Sequence, residues 1–387
     1  MTAILTINAG SSSIKFGLYD EGREPALRAS GQVEGIGVAP HIAAKDSDGV
    51  VIADDNYEAG GGHAVALSKI MDLLDHAFDG TDIRIVGHRV VHGGTEFAQP
   101  VVLDDAAIAA LEAYIPFAPL HQPHNLAAIR AAMEAFPGAR QVACFDTAFH
   151  RGQPWVADTY ALPRQYYEQG VRRYGFHGLS YTYVAGALHD MAPDIAQGRV
   201  IIAHLGNGAS MAAISNGNPM GSTLGFTAVE GLPMGTRSGQ LDPGVVLWLI
   251  EEKGFSTAAV TDLLYKQSGL KGLSGVSSDM RVLLDSDAPE AAEAVAYFTY
   301  RIRREIGSMA ATMGGLDAVV FTAGIGEHAA PVRAEACEGL DFMGIKIDPT
   351  RNALHETVIS ADDSNVRVMV IPTNEEIVIA RAAARFL

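Results

Sequence analysis

Residues 4–19 read Ile4-Leu5-Thr6-Ile7-Asn8-Ala9-Gly10-Ser11-Ser12-Ser13-Ile14-Lys15-Phe16-Gly17-Leu18-Tyr19. An apolar, β-branched run leads into a small polar turn and a second run follows, and this pattern predicts a β-hairpin. Glycine lets the backbone approach an anion, while amide and hydroxyl groups donate hydrogen bonds and a lysine adds positive charge. The stretch is therefore either a serine-rich surface turn or a phosphate-binding loop, with Ser11, Ser13 and Lys15 as candidate phosphate contacts.

A second copy of this design decides between the two readings. Val200-Ile201-Ile202-Ala203-His204 leads into Leu205-Gly206-Asn207-Gly208-Ala209-Ser210, and Met211-Ala212-Ala213-Ile214-Ser215 follows. Internal repetition of a supersecondary unit is a strong indication of architecture. Since strands also alternate with helical patterns, the sequence predicts two α/β lobes that bind one polyphosphate between them.

The two hairpin segments also carry a family resemblance. Asn8-Ala9-Gly10-Ser11-Ser12-Ser13-Ile14-Lys15 and Ile201-Ile202-Ala203-His204-Leu205-Gly206-Asn207-Gly208-Ala209-Ser210 resemble the signature segments of the acetate kinases, within the actin/Hsp70/sugar-kinase superfamily. Further similar segments extend from residue 4 to residue 381. The resemblance implies an α/β fold of two duplicated RNase H-like lobes with an interlobe active-site cleft. It also implies ATP/ADP as co-substrate, Mg²⁺ or Mn²⁺ as cofactor, and a homodimer through the second lobe.

Composition limits the classes of function. The chain has 387 residues, of which 48% are hydrophobic and 19% charged, so two or three globular domains are expected. Its net charge of −17 argues against nucleic acid or an anionic membrane as a partner. Two cysteines are too few for a disulfide framework, and neither a signal peptide nor a membrane-spanning run is apparent. We therefore expect a cytoplasmic protein.

The pattern of strands and helices predicts the residue range of each lobe. The N-terminal lobe is predicted at 1–150 and is joined by a terminal helix at 375–387, while the C-terminal, nucleotide-binding lobe covers 151–374. Residues 20–56 read as antiparallel strands, 151–175 as a connecting loop, and 216–244 as a structureless functional loop. The longest helix is predicted from Ala288 to about Met313. A strand at 316–321 is expected to lead into Gly324-Ile325-Gly326, which is either a tight turn or, as the superfamily resemblance implies, part of an adenosine loop.

Several side chains suit phosphoryl transfer, which needs positioning and positive charge around the transferred group. Arg89 and Arg237 lie in apolar or glycine-rich sequence, where the guanidinium fork suits a carboxylate or phosphate. His177 precedes a predicted helix and could donate to the phosphoryl group. Asp146 and Glu375 are candidates for Mg²⁺, which takes few protein carboxylates and keeps several waters. Surface ion pairs, a buried structural histidine and a helix cap are the alternatives.

The family resemblance assigns roles to these residues. It places Asn8, Arg89 and Arg237 around the acyl carboxylate and the phosphoryl group, with His177 and His121 as donors to phosphoryl oxygens. Asp146 and Glu375 would hold or orient the metal, and Asn8 joins Glu375 in the predicted metal site. The implied nucleotide contacts are His204, Leu205, Gly206, Asn207, Gly208, Asp279, Met280, Arg281, Gly324, Ile325, Gly326 and His328. The implied acyl pocket consists of Val91, Leu120, Phe176 and Ala228.

Three positions depart from the family pattern, which commonly has proline at 228, asparagine at 328 and aspartate at 240. Ala228 leaves acetate and propionate open as substrates. We expect an ATP:acetate phosphotransferase that works by direct in-line transfer to a carboxylate oxygen and produces acetyl phosphate. The alternatives are a propionate or short-chain acyl kinase, a sugar or glycerol kinase, and a nucleotide-switched interaction protein of the actin or Hsp70 kind.

Overall fold

The computed structural model describes residues 2–10, 12–58 and 60–387. The chain divides into two compact units, one formed by Met1–Phe149 with Asn374–Leu387 and the other by His150–Thr373. Within the described residues, no helix is long and apolar enough to cross a membrane.

The strands form one mixed sheet in each unit. In the described part of the first unit, eight strands lie in the order β5-β4-β3-β2-β1-β6-β8-β7, and five in the second unit lie in the order β11-β10-β9-β12-β13. Their bounds are β1 Thr2–Ala9, β2 Ile14–Asp20, β3 Leu27–Glu34, β4 His41–Asp46, β5 Val51–Asn56, β6 Asp82–Val90, β7 Val101–Val102, β8 Arg140–Phe145, β9 Arg199–Leu205, β10 Ala209–Ser215, β11 Asn218–Ser222, β12 Ala318–Thr322 and β13 Arg367–Val370.

The two sheets repeat one arrangement. In the first, β1 pairs antiparallel with β2 and parallel with β6, which pairs parallel with β8. In the second, β9 pairs antiparallel with β10 and parallel with β12, which pairs parallel with β13. Both predicted hairpins are confirmed, with Asn8 opposite Lys15 and Leu205 opposite Ala209. The prediction of a duplicated α/β fold is confirmed.

Helices cover these sheets and are mostly amphipathic. In the first unit, α1 is Gly62–Ala77, α2 Asp105–Glu112 and α3 Gln122–Ala135, and buried side chains of α1 and α3 join the core of the sheet. The second unit contains α4 Trp155–Asp158, α5 Arg164–Glu168, α6 Gly178–Met191, α7 Pro193–Ala196, α8 Pro243–Glu251, α9 Thr257–Asp262, α10 Gly269–Ser274, α11 Met280–Leu284, α12 Pro289–Met313, α13 Ala323–His328, α14 Ala330–Cys337 and α15 Pro349–Ala353. Short 3₁₀ turns lie at Ile115–Phe117, Ala148–Gly152 and Asp341–Met343, and a π-helical turn lies at Leu263–Gln267.

The last helix, α16 Glu375–Ala384, completes the first unit. The Asn374 side chain accepts a hydrogen bond from the Ile377 amide and so caps its N-terminus, where acidic residues also suit the helix dipole. The helix packs against β1 and β6, and a Cβ on Gly87 of β6 would lie 2.6 Å from Ile379 Cγ2. Because only glycine leaves this space, α16 lies close to the sheet and holds Glu375 at its edge.

Two local predictions were wrong, and one alternative is excluded. Residues 151–175 contain two short helices, α4 and α5, because tyrosine and arginine pairs stabilise turns that show no periodicity. Residues 218–222 form β11, so 216–244 is not structureless throughout. Gly324-Ile325-Gly326 lies within helix α13 and not in a tight turn, because Ala323 takes a left-handed φ of 63° and starts the helix directly after β12.

Candidate active site

Polar side chains of the first unit meet where neighbouring parallel strands end. Ile7 of β1 pairs with His88 of β6, so the next residues, Asn8 and Arg89, lie side by side. Strand β6 pairs in turn with β8, whose end is followed by Asp146. Carboxyl ends of adjacent parallel strands share one edge of a sheet, which is where α/β proteins bind ligands. The repeated strand order therefore explains why residues far apart in sequence form one cluster.

Arg89 is the centre of this cluster. Its Nε lies 3.0 Å and its Nη2 2.6 Å from Asp146 Oδ2, and its Nη1 donates to Asn8 Oδ1 at 3.0 Å. The Asn8 amide donates to Glu375 Oε2 at 3.3 Å, and that oxygen lies 3.9 Å from Arg89 Nε. Asn8, Arg89, Asp146 and Glu375 thus form one hydrogen-bonded network, called here the Arg89 cluster.

Burial and charge act in opposite directions on Arg89. Burial alone would lower the pKa of its guanidinium, but the nearby charges of Asp146 and Glu375 outweigh burial and raise it above its usual range. Arg89 therefore stays cationic, with its planar fork fixed by a carboxylate that is 1% exposed. Such a preorganised cation at a sheet edge can bind a small anion.

Asn125 on α3 stabilises the backbone next to the Arg89 cluster. Its Oδ1 accepts the Val91 amide at 3.0 Å and its Nδ2 donates to the Ala9 carbonyl at 2.8 Å, so it connects the ends of β1 and β6. Among the predicted phosphate contacts of the first hairpin, Ser13 is half-buried and accepts the Gly10 amide through its carbonyl, whereas Lys15 is exposed. Ser11 lies outside the described residues.

A pair of histidines marks the corresponding edge of the second unit. The rings of His177, just before α6, and His204, on β9, stack with centroids 4.2 Å apart. His177 Nδ1 lies 2.8 Å from Ser210 Oγ, and His204 Nδ1 lies 2.8 Å from Ser180 Oγ. His177 takes a left-handed φ of 57°, a strained conformation that is typical of functional positions.

The second hairpin turn lies against these histidines. A Cβ on Gly208 would lie 3.2 Å from His177 Nε2 and 3.6 Å from Arg237 Nη2. A glycine here therefore leaves space over the turn, with an imidazole nitrogen and a guanidinium facing it. Arg237 also donates through Nη1 to the Ala228 carbonyl at 2.9 Å, which fixes its direction.

Three further segments meet the same turn. The Gly235 amide donates to the Asn207 carbonyl at 3.1 Å, and a Cβ on Gly206 would lie 3.7 Å from the Ala323 Cβ. A Cβ on Gly235 would lie 3.2 Å from the Ser278 carbonyl oxygen, which brings the start of α11 to the turn as well. The structure thus assembles the predicted nucleotide segments around 204–208.

The side chains of Glu327, half-buried, and Arg333 hold α13 in place. Glu327 Oε1 accepts the amides of Ala323 at 2.8 Å and Thr373 at 3.1 Å. Arg333, fully buried, donates to the Gly326 carbonyl at 2.8 Å and to the Glu327 carbonyl at 2.9 Å. Burial lowers the pKa of Arg333 to about 10, because the group has carbonyl partners instead of a carboxylate.

The structure also shows the local surroundings of the other predicted residues. Asp279 caps α11 and forms an ion pair with Arg281, whose side chain is 91% exposed, while Met280 is buried. His328 is exposed beside Glu327, and His121 lies just before α3. The predicted acyl residues divide between the units, with Val91 and Leu120 in the first and Phe176 and Ala228 in the second.

Sequence reasoning missed the residues that orient the predicted ones. Asn125, Ser180, Tyr181, Ser210 and Glu327 are buried or half-buried polar groups bonded to site residues or segments. Ser180 lies one helical turn after His177 but bonds to His204 on β9, so its spacing in the sequence gives no signal of this contact. These residues become apparent only from contacts between elements.

The fold and these two clusters define an α/β protein of the phosphotransferase class. The Acetokinase family profile matches residues 3–381, and the chain belongs to that family. An acetate kinase of Methylocella silvestris is 50% identical over 388 residues, covering 98% of this chain and 96% of that protein.

Solved structures agree with this assignment. The crystal structure of Porphyromonas gingivalis acetate kinase is 39% identical, with a TM-score of 0.88, and the match covers 100% of this chain and 99% of that one. The structure of a propionate kinase from Francisella tularensis is 35% identical, with a TM-score of 0.92, and the match covers 100% of both chains. The family is an ATP-using kinase family, which confirms the predicted reaction class and co-substrate.

Proposed function

We propose that this protein transfers the γ-phosphoryl group of ATP reversibly to acetate, forming acetyl phosphate and ADP. The observation that carries the choice of acceptor is the pairing of Asp146 with Arg89, at 2.6 Å. A hydroxyl acceptor requires a general base, usually a carboxylate. Asp146 is instead bound to a guanidinium, and acetate is already ionised at neutral pH. A preorganised cation therefore suits a carboxylate acceptor better than a sugar or glycerol.

The contacts within each unit support a role for each residue. Arg89 and Arg237 are proposed to bind the acetate carboxylate and the transferring group, with Asn8 orienting Arg89. His177 and His121 are proposed as donors to the phosphoryl oxygens. The glycine turn 206–208, with His204 and α13, is proposed to bind the nucleotide, supported by the space over Gly208. Transfer is in-line, and catalysis rests on positioning and positive charge.

Magnesium fits the donor set of the Arg89 cluster. Asn8, Asp146 and Glu375 offer oxygens, which Mg²⁺ prefers, and one or two carboxylates with waters are enough. Among the described residues, Glu375 Oε1 makes no hydrogen bond, so one carboxylate oxygen remains available to the ion or its water. Asn8 and Glu375 would hold the ion, oriented by Asp146, and it would neutralise phosphate charge during transfer.

An acyl-trapping assay tests the proposal. Purified protein with ATP, Mg²⁺ and hydroxylamine should yield hydroxamate with acetate, less with propionate and least with butyrate. Glycerol and glucose, with ADP release measured, serve as alternative acceptors. Phosphorylation of either polyol without hydroxamate from any acid would refute the proposal, while a preference for propionate would select the alternative acyl kinase.

We also infer a cytoplasmic homodimer formed through the second unit. Helix α8 exposes apolar side chains, with Leu247 55% and Trp248 49% exposed, and Tyr300 on α12 is 57% exposed. Adjacent exposed apolar side chains, such as Leu247 and Trp248, are typical of association surfaces. Light scattering should give a dimer mass for the wild-type protein and a monomer mass for Leu247→Glu. A monomeric wild-type protein would refute this inference.

A further inference from the structure

Ser210 connects two side chains of the histidine site. Its Oγ lies 2.8 Å from His177 Nδ1 and 2.5 Å from the hydroxyl of Tyr181. Ser210 and Tyr181 are fully buried, and His177 is 9% exposed. Because Ser210 lies on β10, in register with His204, its position is fixed by the sheet. These three side chains form one chain of hydrogen bonds, called here the Tyr181 chain.

The direction of these hydrogen bonds follows from the groups involved. A phenol is a better donor than an aliphatic hydroxyl, and its oxygen is a poorer acceptor because its lone pairs are delocalised into the ring. Tyr181 therefore donates to Ser210, and the Ser210 proton is left for His177 Nδ1. An imidazole that accepts at Nδ1 carries its proton on Nε2. Burial also raises the pKa of Tyr181, so its hydroxyl keeps the proton.

The proton on Nε2 lies on the functional side of the ring. His177 Nε2 faces the turn at Gly208, which Arg237 Nη2 also faces. The opposite tautomer would present a lone pair there, which repels a phosphate oxygen. Neutral imidazole in the Nε2–H form is a hydrogen-bond donor without needing a second proton.

Backbone geometry makes such support necessary. His177 has a left-handed φ of 57°, and the Tyr181 amide donates to its carbonyl at 3.0 Å in the first turn of α6. The Tyr181 chain ties this strained residue back to its own helix through β10. Because Tyr181 is one turn beyond His177, the helix and the strand together determine the orientation of the imidazole.

We propose that Ser210 and Tyr181 are positioning residues that hold His177 as an Nε2–H donor toward the transferring phosphoryl group. The proposal rests on the proposed function for the identity of the reaction, but the tautomer itself does not. His204 bonds through Nδ1 to a different hydroxyl, that of Ser180.

The test compares Ser210→Ala and Tyr181→Phe with the wild-type protein. Each variant removes one hydroxyl, and we expect kcat to fall about tenfold or more while both KM values stay within about twofold, since the donor acts mainly in the transition state. Thr299→Val is the matched control, because it removes a buried hydroxyl of α12 that, among the residues the structure describes, bonds only to helix carbonyls. It should keep wild-type kcat.

A second readout is independent of activity. In protein labelled with ¹⁵N-histidine, the signals of His177 are assigned by their absence in His177→Asn. The wild-type protein should show Nε2 protonated and Nδ1 unprotonated, and Ser210→Ala should show protonation at Nδ1. Wild-type kcat in both hydroxyl variants, or an unchanged tautomer in Ser210→Ala, would overturn the proposal. If the wild-type protein makes no hydroxamate, the proposed function fails, and the ¹⁵N spectrum alone decides the tautomer.

Discussion

Replacing Asp146 by asparagine should separate the electrostatic role of the Arg89 cluster from its shape. The amide keeps the size of the side chain but removes the charge that lies 2.6 Å from Arg89 Nη2. At an effective dielectric constant of ~20, that contact corresponds to ~6 kcal/mol of gross Coulomb energy. Glu375, 3.9 Å from Arg89 Nε, retains part of the compensation. The net loss of unfolding free energy should therefore be ~2–3 kcal/mol. This is below the ~3–5 kcal/mol that is lost when a buried ion is left without its partner.

Asp146→Asn should also lower kcat in the folded protein, because an asparagine amide can turn its donor group toward Arg89 and displace the guanidinium. We expect kcat to decrease by ~100-fold or more, as for other misplaced transition-state contacts. The assays are hydroxamate formation and urea unfolding.

Asp317→Asn is the matched control for this variant, since Arg199 and Asp317 form a similar fork at 2.7 Å but are 37% and 35% exposed. Exposed pairs contribute ~0–1 kcal/mol, and Asp317 lies outside both clusters. Equal destabilisation of the two variants, or wild-type kcat in Asp146→Asn, would refute the reasoning.

Four further predictions follow from the same contacts. Arg237→Lys cannot both donate to the Ala228 carbonyl and face Gly208, so kcat should fall ~100-fold, and an unchanged kcat would remove Arg237 from the site. Glu375→Ala should raise the Mg²⁺ concentration needed for half-maximal activity. A wild-type Mg²⁺ dependence in this variant would show that Glu375 has no role in metal binding and serves only the N-terminus of its helix. Arg333→Met leaves buried carbonyls without donors and should lower the unfolding free energy by ~3 kcal/mol, which a wild-type urea midpoint would contradict. Burial lowers the pKa of His88 to about 4, so the unfolded chain takes up the proton at a higher pH than the folded protein does. The free energy of unfolding should therefore fall by up to ~3 kcal/mol as the pH drops from about 6.5 toward 4. His88→Asn should weaken this pH dependence, measured by urea unfolding, and an unchanged dependence would exclude His88 as its source.

The architecture was predictable because its signals are local. The glycine turns at 10 and 206–208 each follow a β-branched run and precede a second run, so residue type alone indicates the two hairpins. Their repetition indicates duplication. Arg89 stood out because arginine is rare in apolar strand sequence. Ser210 and Tyr181 did not stand out, because a small hydroxyl residue in a strand and a tyrosine in a helix are ordinary packing residues. Their roles depend on the contact between β10 and α6, and neither the sequence of β10 nor that of α6 signals this contact.

The position of α16 also affects how the protein is made. During synthesis the strands that carry Asn8, Arg89 and Asp146 leave the ribosome early, while the helix that carries Glu375 emerges more than two hundred residues later. Until then the surface of β1 and β6 that receives Ile379 is uncovered, although the whole of 150–373 can already have folded as a unit. The first unit is therefore completed after residues 150–373 have been synthesised, and the Arg89 cluster is assembled only once Glu375 has left the ribosome.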